Sequence, residues 1–237
     1  MAPRTPLPYD VRLSRTSSGE DAAILIRRMI FDGELRPGER VPQDDVAAML
    51  GISRIPVREA LIALEREGWV TIEMHRGAFV NAVDANSVRD NYELFGLVYG
   101  FAAQRAIARA GPELVERLTE LKTASDATDD PAEFGRLATA FQSTVVDAAQ
   151  SPKVKAVLRA MTPLLPGEFF ALVPDALGVW RRGFGRVLKA FKRGDSDATA
   201  AEFARTMHEI GEKVVAVFEE RGLFEPVGGA ALNRPLR

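Results

Sequence analysis

Two arginines, Arg54 and Arg58, stand four residues apart in a segment whose apolar spacing predicts a helix from residue 54 to residue 67. At that spacing both side chains share one helical face, roughly 100° round from the apolar stripe that must pack inward. That stripe consists of Val57, Ala60, Leu61 and Leu64. Each guanidinium can donate two hydrogen bonds to O6 and N7 of a guanine in a major groove, or bind a phosphate. Spacing alone leaves open a second interpretation, in which Arg58 pairs on a solvated face with Glu59, Glu65 or Asp44.

The segments around this helix predict the element order of a winged helix. Ser53 precedes the helix as its N-cap, Pro56 lies in the first turn, and Gly68 ends the helix. Upstream, the spacing predicts helices at residues 21–31 and 43–50, with a short strand at residues 39–42 between them. Downstream, strand-like runs at residues 69–72 and 78–80 flank a tip at residues 73–77.

Composition excludes several kinds of chemistry. The chain has 237 residues, 46% of them apolar, and no cysteine, so disulfides, thiolate metal sites and cysteine nucleophiles are excluded. Lys and Arg number 31 against 33 Asp and Glu, so contact with a polyanion has to be local. No apolar run approaches the roughly 20 residues of a membrane span, and the N-terminus lacks the apolar region of a secretory signal. We therefore expect a soluble, cytoplasmic protein without membrane contact.

The distribution of phenylalanine predicts two domains with different cores. Only Phe31 and Phe79 precede residue 95, and the other 11 of the 13 lie between Phe95 and Phe224. The chain is thus expected to be mostly α, with a winged helix at residues 19–82 and an all-helical domain at residues 83–222. Residues 1–18 and 223–237 are expected to form a flexible arm and tail.

The all-helical domain shows regular breaks at Gly and Pro. Asp84 is predicted to cap its first helix. Periodicity then places helices at residues 84–109, 112–123, 131–149, 152–163, 168–192 (with a break near Pro174) and 195–221. Residues 125–130 are predicted to form a polar loop.

The run LRPGERVPQDDVAAMLGISRIPVREALIALEREGWVTIEMHRGAFV resembles the N-terminal domain of GntR-family transcription regulators. Its segments PGE, LGISR, PVREAL, L-x-x-EGWV and RGAFV match in order and spacing over residues 35–80. The resemblance implies that Arg54 and Arg58 read bases and that Ser53 caps the recognition helix. Ile55 stands where the family often has threonine, so a polar phosphate contact is lost there or replaced by contact with a thymine methyl.

The same resemblance implies that His75, Arg76 and Gly77 form a wing tip that enters the adjacent minor groove. The chemistry agrees, because Gly77 allows close backbone approach while His75 and Arg76 supply hydrogen-bond donors. A single half-site of a few contacts is too weak against genomic competitors. We therefore expect a homodimer that binds a short palindrome in double-stranded DNA.

The order and length of the later helices resemble the effector-binding domain of the FadR-like branch of this family, a helical bundle that binds ligand and dimerises. Most members of that branch hold a metal with one Asp and three His. On this chain those positions fall at Ala138, Gln142, Phe184 and Thr206, and none of these is a strong ligand. We predict no metal and no cofactor. His208, two residues past the last position, is expected to be a polar residue at the surface or between helices.

Phe95 stands where the branch has an arginine that grips a carboxylate. The resemblance then implies that Phe95, Tyr99, Phe141 and Phe184, with Phe169 or Trp180, face a region that is polar in relatives. Two interpretations remain open: either these rings fill the space as core, or a pocket survives and takes an apolar ligand, since a buried unpaired carboxylate would be costly. The candidate pocket comprises Phe95, Tyr99, Ala138, Phe141, Gln142, Phe184 and Thr206.

Together these observations predict a sequence-specific DNA-binding transcription regulator, acting as a repressor, that responds to a small, largely apolar effector such as an acyl or aromatic compound. The alternative is the same DNA-binding dimer with a closed, ligandless helical domain. An enzyme is not expected, because the sequence has no Glu-x-x-His pair, no Gly-rich phosphate loop and no Gly-x-Ser-x-Gly elbow.

Overall fold

The computed structural model describes residues 17–161 and 169–224, so most of the expected arm and tail lies outside the described residues. The described part is mainly helical, with one two-stranded antiparallel sheet. Its elements are α1 (Ser18–Phe31), α2 (Gln43–Leu50), α3 (Arg54–Arg66), β1 (Val70–Glu73), β2 (Gly77–Val80), α4 (Ala85–Arg109), α5 (Pro112–Asp126), α6 (Pro131–Ala148), α7 (Pro152–Ala160), α8 (Phe169–Leu172), α9 (Ala176–Lys192) and α10 (Ser196–Glu220). None of the helices described is long and apolar enough to cross a membrane.

In the first domain, α1 and α2 pack against α3. The apolar stripe predicted for α3 is buried, as the helical spacing requires. Helix α1 begins at Ser18, three residues earlier than predicted, because the side chain of Ser17 at the N-cap accepts the backbone N–H of Glu20 at 3.3 Å.

The sheet forms the wing that follows α3. Strands β1 and β2 pair with Glu73 opposite Gly77, so the turn between them is short. The strand predicted at residues 39–42 is reduced to a single bridge between Arg40 and Phe79. Val41 donates its backbone N–H to the Ala78 carbonyl at 2.8 Å, and Pro42 after it has no N–H with which to continue the ladder. The segment nevertheless lies along β2 and forms an incomplete third strand of the sheet.

Helices α4 and α10, each of 25 residues, pack closely along their length. Gly96 and Gly100 of α4 face Ala204 and Ala200 of α10. A Cβ atom at Gly96 would lie 2.9 Å from the Cα atom of Ala204, a distance that real Cβ contacts do not reach. The pairing of small residues therefore sets the separation of these two helices.

The polar loop predicted at residues 125–130 is wrong at its beginning, because α5 continues to Asp126. Ser125 is buried, and its hydroxyl donates to the carbonyl of Lys122 at 2.8 Å. The guanidinium of Arg181 on α9 donates to the Ser125 carbonyl at 3.2 Å and so satisfies an acceptor at the helix end. A polar sequence becomes helical here because a distant arginine caps it.

The predicted break near Pro174 and the predicted cap at Asp84 are both confirmed. Pro174 separates α8 from α9. The side chain of Asp84 accepts the backbone N–H groups of Asn86 and Ser87 at 2.9 and 3.0 Å. Hydrogen bonds from the Ser87 side chain and backbone hold the pKa of the Asp84 carboxyl below its usual value.

The two domains meet where α1 and α10 end. The rings of Phe31 and Phe218 pack edge to face with centroids 5.9 Å apart. The guanidinium of Arg221 lies 4.0 Å from the Phe31 ring centroid, and it donates to Asp32 at 3.2 Å. Aromatic and cation–π contacts of this kind join the end of the winged-helix domain to the end of the helical domain.

Candidate nucleic-acid interface

A groove of about 920 Å³ separates α3 from the wing. The segment from Arg40 to the start of α2 closes one end of it. Its charged lining residues are Arg40, Asp44, Asp45, Arg54, Arg58 and Glu73, with His75 at the wing. A helix beside an exposed groove of this kind is the arrangement with which winged helices place a recognition helix against DNA.

Arg54 and Arg58 both line this groove, as their spacing predicts. Arg54 is the first residue of α3, and its Nε atom lies 2.5 Å from Oδ1 of Asp44 on α2. The alternative that Arg58 pairs with Asp44 is therefore wrong, since Asp44 pairs with Arg54. The Glu65 carboxylate instead accepts the backbone N–H of Ile72 at 2.7 Å. Arg58 is exposed and makes no ion pair with another described residue.

Ser53 and Ile55 flank Arg54 and are exposed. Ser53 occupies the N-cap position of α3, but its side chain accepts no capping hydrogen bond, so the predicted capping role of its hydroxyl is wrong in this structure. The hydroxyl is thereby left for another acceptor or donor, such as a phosphate oxygen. The Ile55 side chain is 69% exposed, which is high for an apolar residue without a partner.

The three predicted wing residues lie at the turn between β1 and β2. His75 and Arg76 are exposed. The guanidinium of Arg76 pairs with Glu73 and lies 5.4 Å from the Phe79 ring. Gly77 has a φ of 111°, a backbone conformation that disfavours any side chain.

Three groove residues were missed by the sequence reasoning. Arg40 lies directly beside Gly77, where a Cβ atom would come within 2.6 Å of the Arg40 Nε atom. The Arg40 side chain thus packs against Gly77, whereas the requirement for glycine at the wing comes from its positive φ. Asp44 was considered only as a partner for Arg58. Met74 is 82% exposed beside the wing tip. An apolar residue within the predicted tip was the sequence feature that could have identified it as a DNA contact.

In the helical domain, the structure brings together Ala138, Phe141 and Phe184. The Phe141 and Phe184 rings are buried and stack with centroids 4.1 Å apart. Trp180 packs on Phe184 at 5.0 Å. These rings occupy the space between α6 and α9 that the sequence analysis assigned to a pocket.

Phe95 and Tyr99 lie in a different group of rings. They stack on each other at 6.2 Å, and Tyr99 stacks on Phe203 of α10 at 5.7 Å. No ring contact among the described residues joins this group to Phe141 or Phe184. Burial raises the pKa of the Tyr99 phenol to about 12, so the group stays neutral.

The residues at the four metal positions of the FadR-like branch do not fit a metal. Ala138 and Phe184 carry no ligating atom, and the Phe184 ring is stacked on Phe141. The Thr206 hydroxyl is buried and donates to the Glu202 carbonyl at 2.7 Å. Gln142 is half-buried on α6. His208, two residues past Thr206, lies at the surface, with its Nδ1 atom 3.3 Å from Glu93 of α4.

A second cavity, of about 730 Å³, lies between the first half of α6 and α8. Phe169, Phe170, Gly135 and Thr139 line it, and Arg136 lies at its edge. Trp180 packs against Phe170, and its buried indole N–H has no hydrogen-bond partner among the described residues.

A winged helix with two exposed arginines on its recognition helix defines a DNA-binding protein, and comparison with known proteins agrees. Residues 19–80 match the profile of bacterial regulatory proteins of the gntR family, and residues 90–209 match the FCD domain. An HTH-type transcriptional regulator of Mycobacterium tuberculosis is 33% identical over 86% of this chain and 84% of its own length. The gluconate operon transcriptional repressor of Bacillus subtilis is 27% identical over 68% of this chain and 66% of its own. The chain belongs to the GntR family and is a DNA-binding transcription regulator, which confirms the resemblance.

Solved structures show the same fold. McbR/YncC of E. coli has a TM-score of 0.59 over 86% of this chain and 99% of its own, at 17% identity. A putative GntR regulator from Rhodococcus has a TM-score of 0.54 over 85% and 99%, at 23% identity. At these identities the likeness concerns the fold, a winged helix followed by a helical domain.

Proposed function

We propose that this regulator reads DNA bases with Arg54 and Arg58, while Ser53 contacts the DNA backbone and Ile55 contacts a thymine methyl. His75, Arg76 and Gly77 enter the adjacent minor groove. The observation that carries the proposal is the exposed placement of both arginines in the groove between α3 and the wing. Their guanidinium groups can meet guanine O6 and N7 in a major groove. Enrichment of one motif from random duplexes by the full-length protein tests the proposal, and binding without sequence preference would refute it.

We further propose that the protein acts as a homodimer through the outward face of α4. Leu94, Leu97 and Phe101 follow one another at helical spacing and are 53%, 64% and 44% exposed. A contiguous apolar stripe on a long helix is typical of an interface. A dimer also places two recognition helices on a palindrome. Light scattering at micromolar concentration with DNA present tests this proposal, and a monomer would refute it.

The helical domain is proposed to respond to an effector of mainly apolar surface, an acyl or aromatic compound. Support comes from the apolar residues at the metal positions and at Phe95, which remove the partners of a small carboxylate. The cavity lined by Phe169 and Phe170 offers apolar surface to such a compound.

A closed, ligandless helical domain is the second candidate. The stack of Phe141 on Phe184 at 4.1 Å favours it, because those rings occupy the predicted pocket. Thermal shift measurements with acyl, aromatic and dicarboxylate compounds separate the two candidates, together with the mass of any co-purified compound. Stabilisation by acyl or aromatic compounds supports an effector, whereas no response supports a closed domain. Stoichiometric zinc, nickel or manganese in the purified protein would refute both.

The relatives described above are named transcriptional regulators, which favours a regulator without enzymatic activity. Repression is the proposed direction of control. The gluconate operon relative is named a repressor. A bound dimer that covers a promoter blocks access to it by occupancy alone. Transcription in vitro from a template carrying the enriched motif tests the direction, and activation on adding the protein would refute repression.

A further inference from the structure

We infer that Asp44, on α2, is a positioning residue for base recognition: it holds the Arg54 guanidinium so that Arg54 reads a guanine rather than a phosphate. This inference rests on the proposed DNA-reading role of α3. It places a determinant of sequence preference on a different helix, outside the recognition helix and the wing.

The geometry of the pair supplies the first argument. The Asp44 carboxylate lies against the Nε side of Arg54, with Oδ1 and Nε 2.5 Å apart. The edge formed by the two Nη atoms remains, and its parallel N–H groups match the O6 and N7 acceptors of guanine. In the free protein this exposed pair is weak, but bound DNA displaces water from the groove and strengthens the attraction of Asp44 for the Nε side of Arg54.

The exposure of the pair supplies the second argument. The side chains of Arg54 and Asp44 are 70% and 64% exposed. Ion pairs in that setting contribute little to folding, because water screens them and the side chains lose entropy. Asp45, the next residue, supplies a second negative charge to the same first turn of α2. The fold therefore has little need of Asp44 in particular.

The charges of the groove supply the third argument. Its lining contains as many carboxylates as arginines, namely Asp44, Asp45 and Glu73 beside Arg40, Arg54 and Arg58. Carboxylates that face DNA repel phosphates and weaken binding to any sequence. The bidentate hydrogen bonds between an arginine and a guanine act only at short distance, so these carboxylates do not weaken them in the same way. A groove of this composition therefore has a lower affinity for DNA of any sequence but a larger difference in affinity between the recognised sequence and other sequences.

Two matched variants of the full-length protein test the inference. Asp44→Asn removes the charge and weakens the grip on Arg54, and Asp45→Asn removes the neighbouring charge, which makes no ion pair with a described residue. The dissociation constant is measured for the motif enriched by the wild-type protein and for a scrambled duplex of equal length. We expect Asp45→Asn to tighten binding to both duplexes by the same factor, about threefold. We expect Asp44→Asn to tighten binding to the scrambled duplex equally but to weaken binding to the motif about tenfold.

A double-mutant cycle with Arg54→Ala completes the test. If Asp44 acts through Arg54, Asp44→Asn leaves the ratio of motif to scrambled affinity unchanged in the Arg54→Ala background. Equal effects of Asp44→Asn and Asp45→Asn on that ratio in the wild-type background would overturn the inference. A wild-type protein that enriches no motif would overturn the proposed DNA-reading site as well, so the two failures are distinguishable.

Discussion

Replacing Arg58 by alanine tests base reading with the fewest side effects on the fold. Arg58 is exposed within α3 and makes no ion pair with another described residue. Alanine has the highest helix propensity, so the change does not weaken the helix. The unfolding midpoint of Arg58→Ala is therefore expected to equal or exceed that of the wild type. A loss of DNA binding then reports a lost contact rather than a lost fold.

The expected size of the loss follows from the contact and the symmetry. A bidentate arginine–guanine contact contributes about 1–3 kcal/mol of base discrimination. A palindrome contains the contact twice, so the loss is about 2–6 kcal/mol if the half-sites are independent. At about 1.4 kcal/mol per tenfold, affinity falls between about 30-fold and about 20,000-fold.

Fluorescence anisotropy on the enriched palindrome measures this loss, with a duplex changed at one guanine per half-site as the comparison. We expect Arg58→Ala to bind both duplexes alike, whereas the wild type prefers the original. Arg66→Ala, on the last turn of α3 and away from the groove, is the matched control and should retain the preference. If Arg58→Ala loses affinity equally on all sequences, Arg58 only grips phosphate. Unchanged affinity would remove it from the interface.

Four further outcomes are expected. Arg76→Ala should weaken binding on all sequences and lower the salt slope by about one per half-site, so by about two for the dimer, because each wing cation replaces counterions, and an unchanged slope would exclude the wing from the interface. Leu97→Glu on α4 should give a monomer in light scattering, because a charge buried in the interface is costly. Val157→Glu on α7, the control, should leave a dimer, and a dimer in both variants would exclude the α4 face. Phe184→Ala should lower the free energy of unfolding in urea by about 3–5 kcal/mol, and a loss below about 1 kcal/mol would mean that the site is loosely filled. Asp84→Ala should lower it by about 0.5–2 kcal/mol at neutral pH. Because the folded-state pKa of Asp84 is lowered, this difference is present above the unfolded pKa of about 3.9 and shrinks as pH falls through the lower folded value; a difference that does not change as pH falls would contradict a cap by the ionised carboxylate.

The sequence alone predicted the class of fold and the exposed face of α3 that carries Arg54 and Arg58. Helical spacing assigned the buried stripe of α3 and placed Arg54 and Arg58 on the exposed side. Glycine, proline and Asp84 marked most helix ends. These signals are local, since each depends on residues within a turn or two of the chain, and local propensities survive in the folded protein when they agree with the core.

Only the tertiary structure decided which distant residues meet. Asp44 reaches Arg54 because α2 crosses α3, and Arg40 lies beside Gly77 because an extended segment runs along β2. Ser125 is buried in a helix because Arg181, 56 residues away, satisfies its carbonyl.

The predicted effector pocket shows the same limit. The family resemblance placed Phe95 and Phe184 in one group, but the structure puts them against different helices. The separation of α4 and α10 depends on the small residues that face each other across them, and the packing of α6 on α9 depends on rings that stack. Helical periodicity specifies which face of a helix is buried. The partner of that face is selected by shape and close packing over the whole domain, which no local pattern encodes.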